Sequence, residues 1–150
     1  MYSRVYSKAS DIKMGLMNEE SLFNKLKHHL CPKYGEEDII NTKEIYDQYH
    51  KYDWEGTTNG THFEMKSRRN KKDTYPTTIF PVHKIMTTDK PQVFIFHFTD
   101  KTCYIEYNKE VFDKFKKRTG QTFRDGVYDP PQQQYEIPVG LLIDLVDVSL

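Results

Sequence analysis

Cysteine is scarce in this chain: Cys31 and Cys103 are the only two in 150 residues. They sit in unrelated contexts without a Cys-x-x-Cys spacing. That excludes a disulfide framework and predicts two free thiols in a reducing compartment. Long apolar runs are also missing, and none approaches the roughly 20 residues of a membrane span. The first residues carry neither a signal-peptide core nor a lipidation motif. Charge of one sign is not in excess, since 22 Lys and Arg balance 22 Asp and Glu. A general nucleic-acid coat or a membrane-surface protein would be more basic. The six histidines are scattered, with no His-x-x-x-His pair, so a zinc site is not expected. There is no glycine-rich phosphate loop and no nucleophile elbow around a serine or cysteine. These absences predict a soluble intracellular protein, in cytoplasm or nucleus, that is not a nucleotide-driven motor. The frequent Lys, Ile, Asn, Tyr and Phe are the bias of A/T-rich coding, as in viral or parasite genomes.

What remains is a polar but globular composition, 29% charged and 14% aromatic. A chain of this length can bury a real core, so residues 1–150 are expected to form one domain. Its centre is the stretch from Tyr52 to Arg68. Asn59-Gly60 between two short alternating runs is a strong hairpin signal. Side chains alternate along a strand, so Asp53, Glu55, Glu64 and Lys66 share one face. Trp54, Phe63 and Met65 take the other. A two-residue loop sets Glu55 against Glu64 and Asp53 against Lys66. A four-residue loop shifts the pairing and keeps the parity. Like charges facing each other destabilise a sheet, so three clustered acids need a reason. A bound divalent cation supplies one.

Around the hairpin, Ile12, Leu16, Leu22, Phe23, Leu26 and Leu30 recur at helical spacing. Glu19 falls in the middle of that stripe. Either it pairs locally with a lysine, or it points into the same site as the hairpin acids. Pro32 and Gly35 are read as ending the helix. Ile39-Ile40 begins a strand or leads to one, and Thr42 to Tyr49 suits helix or strand. The basic run from Ser67 to Lys72 follows the acidic face directly. A short helix is expected to open at Pro81. Gln92–Thr99 and Thr102–Tyr107 read as a central strand pair. Asn108 should cap a helix from Lys109 to about Arg118, stopped by Gly120. Thr122 to Gln134 reads as loop, Tyr135–Ile137 as a short strand, and Val139 to Val148 as a terminal helix.

Helix with Glu19, acidic hairpin with Asp53 and Glu64-Met65-Lys66, basic loop, strand pair, helix: this order resembles the PD-(D/E)xK nuclease superfamily. In layout it is most similar to the small archaeal Holliday-junction resolvases and compact viral and phage members. Gly15, Glu19 and Leu22 also match the spacing of the helix glutamate found in many members. The likeness covers about residues 12–107 and leaves the C-terminal helices and loop of 108–150 unassigned. Tyr52 stands where many members have proline, and Glu55 is an extra acid.

The resemblance implies an α/β (α+β) fold with a restriction-endonuclease-like core, a central mixed β-sheet flanked by helices. It implies a metal-dependent nuclease that hydrolyses phosphodiester bonds in DNA rather than RNA, as a structure-specific, resolvase-like endonuclease. Glu19, Asp53, Glu64 and Lys66 would be the catalytic residues. Asp53, Glu64, the Met65 carbonyl and Glu19 would bind Mg²⁺, with Mn²⁺ able to substitute. Lys66 would orient the attacking water, help deprotonate it, or stabilise developing charge. Arg68, Arg69, Lys71, Lys72 and Lys84 are candidate phosphate contacts. A resolvase-like role implies a homodimer, because a four-way junction presents two symmetric strands. The alternative is an inactive nuclease-fold module that binds nucleic acid or protein.

Overall fold

A computed structural model of the chain describes residues 22, 24–46, 52–121, 123–124, 126–128 and 130–145. Glu19 lies outside them. The first described element, helix α1, covers residues 24–34, and Leu22 is helical as well. Leu22, Leu26 and Leu30 recur every four residues and are all buried, so α1 presents one apolar stripe. Pro32 does not end the helix, contrary to expectation. In the last turn a proline forfeits one backbone hydrogen bond and leaves the preceding turns intact. Gly35 ends it instead, with φ +64°, and the Glu36 N–H bonds to the Cys31 carbonyl at 2.9 Å. This is a Schellman closure, which requires a left-handed residue that glycine adopts without strain.

The main sheet has six strands: β1 (Ile39–Asn41), β2 (Trp54–Gly56), β3 (His62–Ser67), β5 (Gln92–His97), β6 (Thr102–Glu106) and β11 (Ile143–Asp144), in that spatial order. The first three pair antiparallel, β3 and β5 pair parallel, and β6 and β11 return antiparallel. The sheet is therefore mixed. A second sheet, ordered β4 (Thr77–Pro81), β10 (Gln132–Pro138), β7 (Lys116–Gly120), is antiparallel. A small ribbon joins β8 (Phe123–Arg124) to β9 (Val127–Tyr128).

The two faces of the main sheet carry separate cores. On one, Leu22, Leu26 and Leu30 pack with Trp54, Phe63, Met65, Val93 and Ile95. On the other, Phe94, Phe96, Phe98 and Ile105 pack with Phe80, Tyr135 and Ile137 of the second sheet and with Phe112. β5 is buried on both faces, which is why it reads as the continuous run VFIF. The expected mixed sheet is present, but α1 is the only long helix among the described residues. The second face is covered by strands.

That correction follows from three misread segments. Thr77–Pro81, to which the sequence pattern assigns no element, forms β4, and the short helix expected to open at Pro81 is a single 3-10 turn. Proline is tolerated there because β4 is an edge strand, paired only with β10. A 3-10 turn, Val82–Lys84, follows it. Asn108 does cap a helix, its side chain accepting the Val111 N–H, but α3 is only Lys109–Phe112. Phe112 is then buried among aromatic rings, and the chain turns into β7. The expected terminal helix is a 3-10 turn, Val139–Leu141, and then β11. Of the ambiguous segments, Ile39–Asn41 is strand and Thr42–Ile45 is a short helix, α2.

The hairpin loop has four residues, 57–60, since the Gly56 N–H bonds to the Thr61 carbonyl at 2.9 Å. Gly60 takes φ +71° in it. A buried carboxylate organises the turn. Glu36 accepts from the Thr58 N–H (2.8 Å), the Asn59 N–H (2.9 Å) and the Thr61 hydroxyl (3.0 Å). Burial raises its pKa, but the donors of Asn59, Thr58 and Thr61 outweigh that and hold it below the ordinary glutamate range. Gly56 makes room: a Cβ there would come within 2.0 Å of the Glu36 carboxyl carbon. Gly56→Ala should therefore cost about 1–3 kcal/mol in denaturant unfolding. Glu36→Ala should cost a similar amount through lost hydrogen bonds. The double mutant should lose less than the sum, because the clash disappears with the carboxylate.

Candidate metal and phosphate site

Sequence alternation brings β2 and β3 together with Trp54 opposite Phe63 and Glu55 opposite His62. The four-residue loop thus sets the register, and the expected parity survives for most side chains. Trp54, Phe63 and Met65 lie in the α1 core. Glu64 and Lys66 belong to the opposite face, beside Phe94 and Phe96 on β5. Asp53 is re-aimed. Its N–H bonds to the Phe63 carbonyl at 3.0 Å although Trp54 is the residue paired with Phe63. Two residues against one is the arrangement of a β-bulge, a device that redirects a side chain.

The Asp53 carboxylate then takes the acceptor role that the next β2 residue would have had. Oδ2 accepts the Met65 N–H at 2.8 Å. Within a strand, the N–H and C=O of one residue leave the chain on the same side. The Met65 carbonyl is therefore directed past the end of β2, toward the side where Asp53 sits. Oδ1 accepts from the Lys43 ammonium, supplied by α2.

Glu64 is buried at 6% exposure, as Asp53 is at 5%. Its Oε1 lies 3.4 Å from the Lys66 ammonium and 3.5 Å from that of Lys84. Oε2 is buried with no hydrogen-bond partner among the described residues. Burial pushes the Glu64 pKa up, and the neighbouring Asp53 charge pushes it further. Lys66, Lys84 and Lys43 only partly offset this. His83, just before Lys84, has its pKa lowered by burial and by the Lys84 and Lys66 charges.

Two carboxylates and three lysines therefore meet at one place. Sequence reasoning identified Asp53, Glu64, Met65 and Lys66 as one group, and the fold brings them together. Lys84 joins them on Glu64. Lys43 was missed. Its only trace was an uncommitted helix-or-strand segment, and nothing in that pattern ties it to Asp53.

Of the residues expected as phosphate contacts, Arg68 and Lys72 are engaged within the fold. The Arg68 guanidinium donates to the Thr78 hydroxyl (3.1 Å) and the Ile79 carbonyl, and lies 5.5 Å from the Phe96 ring centre. Burial lowers its pKa to about 10, so it still carries its charge at neutral pH. Lys72 donates to Asp144 at 2.6 Å and helps fasten β11. Arg69 and Lys71 are exposed in the loop after β3. Glu55 has a structural post: Tyr52 donates to one oxygen at 2.7 Å and Tyr46 to the other at 3.0 Å. Tyr52 in turn stacks on His62 at 4.0 Å.

Comparison with protein-family models, with curated proteins and with solved structures finds no match.

The donor set fits a hard divalent cation. Mg²⁺ takes one or two carboxylates and completes its shell with carbonyl, water or phosphate oxygens. Asp53, Glu64 and the Met65 carbonyl provide such oxygens, and Glu64 Oε2 is a buried oxygen with no hydrogen-bond partner among the described residues. No three His, Cys, Asp or Glu side chains converge among the described residues, so the set is sparse rather than a closed cage. Both cysteines are free thiols, and burial raises the Cys103 pKa to about 12. No described helix is long and apolar enough to cross a membrane.

The strain on Glu64 has a measurable sign. A carboxyl whose folded pKa is raised favours the folded state when protonated. Its contribution to stability is lost as pH rises from the ordinary glutamate range through the raised value. Glu64→Gln should therefore be more stable than wild type at pH 8, by roughly 0.5–2 kcal/mol. The gap should narrow toward pH 5. Glu36 and every other acid are common to both proteins and cancel in the difference.

Proposed function

We propose that this protein is a divalent-cation-dependent nuclease of the PD-(D/E)xK type. The observation that carries the reading is the adjacency of Asp53, Glu64 and the Met65 carbonyl, with Lys66 on Glu64. The strand plan supports it too. A helix, three antiparallel strands and a fourth strand parallel to the third match the core that the motif implies. The crossover between β3 and β5 differs, since it carries β4 and two 3-10 turns where that core has a helix.

In this reading Asp53, Glu64 and the Met65 carbonyl would hold Mg²⁺, which would supply charge neutralisation on the phosphate and activation of water. The Lys66 ammonium, 3.4 Å from Glu64, would donate to the nucleophile or to a phosphate oxygen as charge develops. Lys84 approaches the same carboxylate from the second sheet and offers a further phosphate contact. Arg69 and Lys71 extend basic surface beyond β3 and suit the flanking backbone of a DNA strand. Glu19 is assigned the role of an additional acid, through water or a second ion. A branched-DNA substrate would be met by a homodimer.

A second reading is favoured by Lys43. Among the described residues three ammonium groups stand against two carboxylates, a balance that also suits a module that binds phosphate without cutting. Cleavage separates the two. Branched, linear and single-stranded DNA should be cut with Mg²⁺ or Mn²⁺ by wild type. Glu64→Ala should abolish cutting, and Lys66→Ala should slow it by about 10²–10⁴-fold. Metal-dependent cutting that persists in both variants would refute the assignment. Binding without cutting on every substrate would establish the second reading.

A further inference from the structure

The carboxylate pair is served by a third element, α2, that the motif does not include. Asn41 pairs with Trp54 across β1 and β2, and its side chain accepts the Lys43 N–H at 2.9 Å. Thr42 is fully buried. Its amide donates to the Asp53 carbonyl at 3.0 Å, and its hydroxyl reaches the carbonyls of Tyr52 and Asp53. The backbone of Lys43 is thereby tied to the backbone of Asp53 itself. This short, rigid link delivers the ammonium to Asp53 Oδ1. The other oxygen, Oδ2, is held by the Met65 N–H.

A cation that binds Asp53 through Oδ1 meets the Lys43 ammonium there, while Oδ2 already accepts the Met65 N–H that closes the end of β2. Lys43 and the cation therefore compete for one oxygen. We propose that Lys43 is a resident counter-ion of the site, a positioning residue that holds Asp53 in place and that a divalent cation must displace to bind. The proposal rests on the reading of Asp53 and Glu64 as cation ligands. Among the described residues the remaining charges that face the pair are Lys66 and Lys84, both near Glu64 Oε1. They do not substitute for Lys43.

The test is Mn²⁺ titration calorimetry at pH 8 on the full chain, without nucleic acid. Wild type, Lys43→Met, Lys43→Gln, Lys43→Arg and Asp53→Asn are compared, with circular dichroism to show which are folded. Both neutral variants should bind Mn²⁺ about tenfold more tightly than wild type, because one positive charge has left the site. Lys43→Arg should stay within about twofold of wild type, and Asp53→Asn should lose binding. A merely structural lysine would weaken binding on removal or leave it unchanged. That result, with wild-type binding intact, overturns the role of Lys43 and leaves the nuclease reading standing. No saturable heat from wild type and the neutral variants alike overturns both. The two neutral replacements keep the outcome decisive if one of them fails to fold.

Discussion

Two carboxylates that share a buried corner of a sheet must be neutralised, and much of this structure is arranged around that demand. Asp53 and Glu64 are almost wholly withdrawn from water. Each would be costly there if left ionised and alone. Asp53 is settled by an amide and an ammonium. Glu64 is less well settled, with two ammonium groups at 3.4 and 3.5 Å on one oxygen and, among the described residues, no hydrogen-bond partner on the other. A folded protein rarely leaves a buried carboxylate oxygen without a donor. Such strain is commonly concentrated where a ligand or substrate completes the site.

The surrounding fold holds the pair from several sides. α1 and the apolar face of β2 and β3 form a core that fixes the strand register. Glu36 fixes the hairpin loop, and Gly56 gives that carboxylate its space. The second sheet lays Phe80 on Phe94 at 4.1 Å between ring centres. The turn after β4 then carries Lys84 to Glu64. Parallel pairing of β3 with β5 keeps Glu64 and Lys66 beside a strand that is buried on both faces. Glu64 and Lys66 are thus mounted on a regular strand, where positions are better defined than on loops, and Asp53 sits immediately before β2.

The alternation of Trp54, Phe63 and Met65 against Glu64 and Lys66 was legible in the sequence, because period-two patterning is local. So were β5 and β6, whose β-branched and aromatic residues leave little alternative. Beyond Asn108 only the strand at Tyr135–Ile137, which lies within β10, was legible in full. Lys109–Arg118 has helical spacing and a good cap, yet burial of Phe112 among rings and pairing of β7 with β10 override that propensity. The second sheet joins β4 to β10 across more than 50 residues of chain, and no local pattern encodes such a partner. Arg68 and Lys72 looked like solvated bases, because sequence does not show a guanidinium turned inward onto Thr78 and Phe96. The bulge at Asp53 and the reach of Lys43 are likewise products of tertiary contacts. The pattern set Asp53 near Glu64 and could not say how its carboxylate would be aimed.

The central claim is that Asp53, Glu64 and the Met65 carbonyl share one divalent cation. Anomalous diffraction from crystals of the full chain grown with Mn²⁺ tests it most directly. The account predicts a single strong peak bounded by Asp53 Oδ1, Glu64 Oε2 and the Met65 carbonyl oxygen, at distances of about 2.0–2.3 Å. Ordered Mn²⁺ bound elsewhere, with Lys43 still on Asp53 and Glu64 Oε2 still without a partner, would contradict it.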